Sequence, residues 1–177
     1  FVRYEQNDEI TAKFCAKCNA RLIWGGDTTI RNIRKLPIPE RSVEIVFADR
    51  YSFCAINSAS VAELDKEHLE RLAEAFYNDA YLMDQNACSS PHLIVWLGNS
   101  DETAKEKFWS AVYAVVSKKY QLSAVDAVDK YAIFCRDAIE SEGMSSFKKY
   151  DNYIYRLKLD SLPDNIDSFR GKYGYFY

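Results

Sequence analysis

No apolar run in this sequence is long enough to cross a bilayer. Runs such as Leu93–Leu97 fall far short of the roughly 20 residues that a spanning helix needs. No basic stripe stands out either: 23 basic residues face 26 acidic ones, for a net charge of -3. That balance lacks the electrostatic footprint of a nucleic-acid binder. The first residues, Phe1-Val2-Arg3-Tyr4-Glu5, do not form a signal peptide. The expected location is therefore the cytoplasm. The cysteines (Cys15, Cys18, Cys54, Cys88 and Cys135) are odd in number and sit in mostly apolar or helical surroundings. They do not form a secreted disulfide framework and read as reduced thiols. Internal repeats and low-complexity segments are also missing.

What is present suits an ordinary globular chain. Hydrophobic residues make up 48% and charged residues 28% of the 177, so disulfides are not needed for folding. The core material includes 13 Tyr, 10 Phe and 3 Trp. A chain of this length buries roughly two-thirds of its unfolded surface. The chain opens without Met and closes on Gly174-Tyr175-Phe176-Tyr177, an aromatic, strand-like run. Both ends are expected to be cuts in a longer polypeptide.

Periodicity predicts a helix from Asp8 to about Ala20, a strand over Arg21–Trp24 and a helix over Thr28–Lys35, with Pro37 and Pro39 closing that segment. Strands follow at Val43–Phe47 and Tyr51–Ile56. Asp65–Leu82 is the clearest helix: Leu69, Leu72, Ala73, Phe76, Tyr77 and Ala80 fall on one apolar face, opposite a solvated acidic run. A loop over Met83–Pro91 leads into a buried strand, Leu93–Leu97. Gly98-Asn99-Ser100 reads as a turn, Asp101–Lys119 as a helix, and Ser123 with Asp126 as a capping box opening another. A loop at Ser141–Ser146 precedes strands at Asn152–Leu159 and Tyr173–Tyr177. Strands and helices alternate throughout. The expected fold class is α/β, a three-layer αβα arrangement around a mostly parallel sheet.

Three local patterns carry possible chemistry. Cys88 sits in Asp84-Gln85-Asn86-Ala87-Cys88-Ser89-Ser90-Pro91, between a strongly amphipathic helix and a buried strand. A nucleophile needs to be both fixed and reachable, and a short loop between rigid elements provides both. Its own N–H is placed to help stabilise an oxyanion. A structural thiol is the plain alternative. Gly25-Gly26-Asp27-Thr28 offers a bare backbone and a helix N-terminus to a phosphate, or is simply a strand-to-helix turn; it is not a full GxGxxG fingerprint. Cys15-x-x-Cys18 lacks a second ligand pair, so core packing is expected there and no metal. For His92 a polar surface or capping role is expected.

The run Tyr81-Leu82-Met83-Asp84-Gln85-Asn86-Ala87-Cys88-Ser89-Ser90-Pro91 resembles the active-site segment of LuxC-type acyl-CoA reductases, a branch of the aldehyde dehydrogenase superfamily. Leu22-Ile23-Trp24-Gly25-Gly26-Asp27 is similar to the strand and glycine turn that approach the nicotinamide dinucleotide. Val43-Glu44-Ile45-Val46-Phe47-Ala48-Asp49-Arg50-Tyr51-Ser52 is similar to the segment joining cofactor and catalytic domains. Together they span about residues 20 to 97. The resemblance implies that residues 1–41 end a nucleotide-binding domain and that residues 42–177 form an aldehyde-dehydrogenase-like catalytic domain. It implies Cys88 as nucleophile, with Gln85, Asn86 and Ser89 as its supporting loop. Trp24, Gly25, Gly26 and Thr28 would contact the cofactor, NADPH, with NADH as the other possible donor. The implied substrate is a long-chain acyl-CoA or acyl-protein, and the implied product a fatty aldehyde. An acyl-protein synthetase partner and a homo-oligomer of the full-length protein follow by the same analogy. Hydrolytic members of the superfamily place a Glu base just before a Gly-Gly pair; that position aligns with Phe47 here, while Glu44 lies nearby as a shifted candidate. Aldehyde oxidation and a non-catalytic interaction module therefore stand beside acyl reduction as readings.

Overall fold

The computed structural model describes residues 1–98, 102–140 and 143–177. Two compact units divide at Arg50/Tyr51. The first holds α1 (Asp8–Cys15), β1 (Ala20–Gly25), α2 (Asp27–Arg34) and β2 (Val43–Ala48). Asn7 caps α1 by accepting from the Ile10 N–H at 3.0 Å. The helix stops at Cys15, well before Ala20, and Cys15 is its buried residue, while Ile10 and Phe14 lie exposed. Cys18 Sγ donates to the Cys15 carbonyl at 3.2 Å, so this pair serves local packing. β1 and β2 pair in parallel, Ala20 opposite Val43 through Gly25 opposite Ala48. That register draws β2 into the first unit, so the compact units divide nine residues later than the expected junction after residue 41.

The second unit contains β3 (Ser52–Asn57), α3 (Ser58–Glu63), α4 (Lys66–Ala80), β4 (Pro91–Leu97), α5 (Glu102–Lys119), α6 (Ala124–Glu140), β5 (Met144–Tyr150), β6 (Ile154–Leu159) and β7 (Tyr175–Phe176). β3 pairs with β4, and β7 with β6, in parallel; β5 joins β6 antiparallel. Tyr177 links the two groups: its N–H donates to His92 O at 3.0 Å, and its carbonyl accepts from Ile94 N at 2.7 Å. The resulting strand order is β3-β4-β7-β6-β5, parallel except for its β5 edge.

Side-chain alternation divides two cores between the faces of this sheet. Ile94, Ile154 and Phe176 join Ala73, Phe76 and Ala80 of α4 and Phe108, Val112 and Val116 of α5. Leu93, Tyr155, Leu157, Tyr175 and Tyr177 point the other way, toward Ile133 and Phe134 of α6. This is the expected αβα layering. Asp65 caps α4, and Ser123 Oγ accepts from the Asp126 N–H at 3.1 Å to open α6. β5 was not expected. It occupies part of the segment read as a loop, and its exposed pattern carries no apolar alternation. Asn99 and Ser100 of the expected turn, Asp101 of the expected helix, and Ser141 and Glu142 of the expected loop lie outside the described residues.

Candidate active site

Cys88 is exposed on the loop between α4 and β4. What holds that loop is largely a set of side chains. Asp84 and Gln85 are consecutive non-glycine residues in the left-handed region, with φ of 51° and 64°. Together they cost about 2 kcal/mol or more. Gln85 offsets this from a fully buried position. Its Nε2 donates to Pro91 O and to Tyr175 O, each at 2.9 Å. Its Oε1 accepts from Gly174 N at 3.0 Å and Tyr175 N at 3.2 Å. The amide thus uses both donors and both lone pairs, and it ties the loop to β7.

Further anchors surround it. Tyr120 donates its hydroxyl to Asp84 Oδ1 at 2.6 Å, Ser90 donates to Asp79 O at 2.7 Å, and Ser52 donates to Cys88 O at 2.7 Å. The Asn86 amide closes locally on Asp84 O at 3.1 Å and its residue is exposed, as is Ser89. Among the described residues no backbone carbonyl accepts from the Cys88 N–H. An exposed cysteine, on a backbone fixed from several sides, is the arrangement that nucleophilic chemistry requires.

His92 is buried, not on the surface as expected. It is the second residue of β4, where its ring lies 5.5 Å from that of Tyr51, and Nδ1 meets Gly171 O at 3.0 Å. Burial pushes the Tyr51 hydroxyl up to about 12, so it stays a neutral phenol near pH 7. Lys130 on α6 is fully buried. Nζ donates to the carbonyls of Asn152 and Tyr173, the latter at 2.8 Å, and burial pushes its ammonium down to about 7. Ser52, Tyr120, Gly174 and Lys130 escaped sequence reasoning because each acts on a partner at least twenty positions away.

In the first unit, Gly26 is the N-cap of α2 and no side chain caps the helix. A Cβ built on Gly26 meets nothing within 4 Å. Trp24 is 77% exposed and stacks on Phe47 with 5.0 Å between ring centroids, and Thr28 is exposed in the first turn. Glu44 lies on β2 between two arginines: Arg34 Nε donates to it at 2.7 Å, and Arg21 donates through Nε at 2.8 Å. Those hydrogen bonds, from Arg34 first and then Arg21, hold the Glu44 carboxyl below its usual range. Among the described residues, no cluster of His, Cys, Asp and Glu is suited to a metal ion.

The model of the acyl-CoA reductase (LuxC) family matches residues 2–131. The chain belongs to that family. No curated protein sequence matches it. Among solved structures it is similar to a substrate-bound Staphylococcus aureus AldH, at 8% identity and a TM-score of 0.59, over 97% of this chain and 39% of that one. It is also similar to a Corynebacterium glutamicum NAD-dependent benzaldehyde dehydrogenase, at 12% identity and 0.53, over 96% and 39%. An apo betaine aldehyde dehydrogenase from S. aureus matches at 11% and 0.53, over 96% and 37%. At such identities the likeness is one of fold. This LuxC-family chain spans about two-fifths of the length of those dehydrogenases, and its α/β layering with parallel strand pairs is theirs. No described helix is long and apolar enough to cross a membrane.

Proposed function

We propose that this chain carries the nucleophilic cysteine of a long-chain fatty acyl-CoA, or acyl-protein, reductase. The observation that carries the reading is the exposed Cys88 on a loop clamped by Gln85. As a thiolate, Cys88 Sγ attacks the carbonyl carbon of the acyl thioester. Charge collects on the carbonyl oxygen, where the unengaged Cys88 N–H is a donor. The bond to the carrier sulfur breaks, the carrier leaves as a thiolate, and an acyl-cysteine thioester remains on Cys88. A thiol suits both halves, being nucleophilic near neutral pH and a good leaving group.

Trp24, Gly25, Gly26 and Thr28 fit one end of a nicotinamide dinucleotide. The bare Gly26 backbone and the helix N-terminus without a side-chain cap admit a phosphate, although the carboxylate of Asp27 in the first turn opposes one. When bound, NADPH (or NADH in its place) supplies the hydride that turns the acyl group into a fatty aldehyde. One solved neighbour is named as NAD-dependent, which supports a nicotinamide cofactor. On this reading residues 1–50 end the nucleotide-binding domain and 51–177 form the catalytic one. A cytoplasmic homo-oligomer served by an acyl-protein synthetase completes the proposal.

Aldehyde oxidation is the weaker reading. It needs a base to activate water against the thioester. Phe47 stands at the aligned position, and Glu44 is engaged by two arginines that favour its ionised, already bonded form. Incubation with a long-chain acyl-CoA tests the proposal. Mass spectrometry should find an acyl group on Cys88 that hydroxylamine removes and that Cys88→Ala lacks. An adduct that survives in Cys88→Ala would sink the assignment. Alkylation of Cys88 no faster than that of Cys54 or Cys135 would instead favour an interaction module.

A further inference from the structure

The Cys88 loop is bonded at both ends to the same short segment, Tyr173–Tyr177. At its start, Gln85 holds Gly174 and Tyr175, and the Tyr173 N–H reaches Asp84 O at 3.4 Å. Just past its end, the Tyr177 N–H donates to His92 O, and the Ile94 N–H donates to Tyr177 O. The segment is therefore a strap that joins the two ends of the loop. Its own ladder is short: β7 pairs with β6 at Tyr155 and Arg156. Tyr173 adds a cost, since its φ of 58° puts a non-glycine residue in the left-handed region, directly before Gly174 at 86°. That conformation costs about 1 kcal/mol or more. A strap with so short a ladder needs further holds.

α6 supplies them. Its buried residues are Lys130 and Asp137, two turns apart and so on one face of the helix. Asp137 accepts from the hydroxyls of Tyr175, at 2.9 Å, and of Tyr177. Lys130 Nζ donates to Tyr173 O at 2.8 Å and to Asn152 O in the turn between β5 and β6. It also stands 4.8 Å from the centre of the Tyr155 ring. Packing alone does not call for lysine at this place: methionine would fill similar space without the cost of burying an amine. What methionine cannot do is donate. The Tyr173 carbonyl and the Gly174 N–H belong to one planar peptide unit. Lys130 holds its carbonyl end at 2.8 Å and Gln85 Oε1 its N–H end at 3.0 Å. A donor on the carbonyl polarises the unit and strengthens the N–H toward Gln85. A neutral amine keeps two N–H groups, one for each carbonyl, so the hold does not require the charge.

We infer that Lys130 is a positioning residue for Cys88, acting through the Tyr173–Gly174 peptide on Gln85 and through Gln85 on the loop that presents the sulfur. The inference rests on the reading of Cys88 as the nucleophile. Lys130 is fully buried, so its effect passes through hydrogen-bonded neighbours and not through contact with a substrate. The path is continuous: Lys130 to Tyr173 O, across one peptide unit to Gly174 N, to the Gln85 amide, to Pro91 O on the far side of Cys88. Acyl transfer tolerates little error in where the attacking sulfur stands, and a misplacement of about 1 Å can cost about a hundredfold in rate.

Lys130→Met tests this, with Val61→Ala as a control. Val61 is buried on α3, which packs on α5 and β3, so its loss weakens the fold without touching the strap. By NMR, Lys130→Met should speed amide exchange at Gly174 about tenfold or more while amides inside α4 keep their protection. It should also move the amide shifts of Gln85, Ala87 and Cys88. With a long-chain acyl-CoA, the maximal rate of acylation at Cys88 should fall about tenfold, with the half-saturating concentration within about twofold of the parent. Val61→Ala should lower Tm and leave the strap exchange, the loop shifts and the acylation rate in place. If Lys130→Met does not fold, Lys130→Gln keeps a donor one bond shorter and is read in the same way. The inference is overturned if Gly174 stays protected and the loop shifts do not move, or if Val61→Ala slows acylation as much as Lys130→Met. A parent chain that takes no acyl group at Cys88 would instead sink the nucleophile, while exchange at Gly174 and the loop shifts would still decide whether Lys130 sets the loop.

Discussion

At Gly25 and Gly26 the turn is shaped by what is missing, with no capping side chain and no atom within 4 Å of a Cβ on Gly26. At Asp84–Ser90 the loop is shaped by what is added, with Gln85, Ser52, Ser90 and Tyr120 each placing a hydrogen bond. The two proposed tasks explain the contrast. A phosphate approached by backbone N–H groups needs side chains out of the way. A sulfur that must meet a carbonyl carbon in a narrow range of geometries needs its backbone fixed. The first turn can therefore be built from neighbours in sequence. The second draws on residues as far apart as Ser52 and Tyr175.

The contrast breaks first at Gln85. Gln85→Ala removes four buried hydrogen bonds and takes a partner from the Pro91 and Tyr175 carbonyls and the Gly174 N–H, while the Tyr175 N–H keeps Lys172 O at 3.1 Å. Each such group costs about 1–3 kcal/mol where water cannot reach it. A loss of about 3–5 kcal/mol in urea unfolding is expected, with uneven alkylation of Cys88. A loss below about 1 kcal/mol would mean that the loop is held by something other than this amide. Next comes Gly174, the residue Gln85 grips. Its φ is +86°, and an added Cβ would collide with the Tyr153 carbonyl oxygen and lie 2.6 Å from the Tyr81 hydroxyl. Tyr81 is fully buried and cannot swing aside. Gly174→Ala should cost about 2–4 kcal/mol by strain and collision, read in the same denaturation experiment.

Much of the fold was legible because its signals are local. The face of α4 announced itself through Leu69, Leu72, Ala73, Phe76, Tyr77 and Ala80, and the Ser123–Asp126 box marked the start of α6. Where local signals were false or silent, reading failed. The helix expected to run to about Ala20 stops at Cys15, which is the residue α1 buries, while Ile10 and Phe14 lie exposed. β5 is an edge strand exposed on both faces, with Lys148 and Lys149 alike exposed, so no alternation marks it. The exposed loop position of Cys88 was legible from the helix and strand that flank it. Its supports were not, because a hydrogen bond from Ser52 or a carbonyl from Tyr175 leaves no trace in nearby sequence. His92 was misjudged for a related reason: a polar residue beside Pro91 looks superficial until Tyr51 and Gly171 close over it.

The smallest expected effect is at Gly26, and it sharpens the comparison by using the same substitution as at Gly174. Gly26 sits at φ -71° and ψ 167°, a conformation open to any residue, with empty space where a methyl would go. Alanine there loses a little as an N-cap, since glycine is the better of the two. It gains about 0.4–1 kcal/mol because the unfolded chain has fewer states to give up. The two terms nearly cancel, so Gly26→Ala should leave unfolding within about 0.5 kcal/mol of the parent. Two glycine-to-alanine changes in one chain would then differ by about 2 kcal/mol or more, through surroundings alone. If Gly26→Ala instead costs as much as Gly174→Ala, the first turn is as tightly built as the second. The opposition between a bare turn and a clamped loop would then fail.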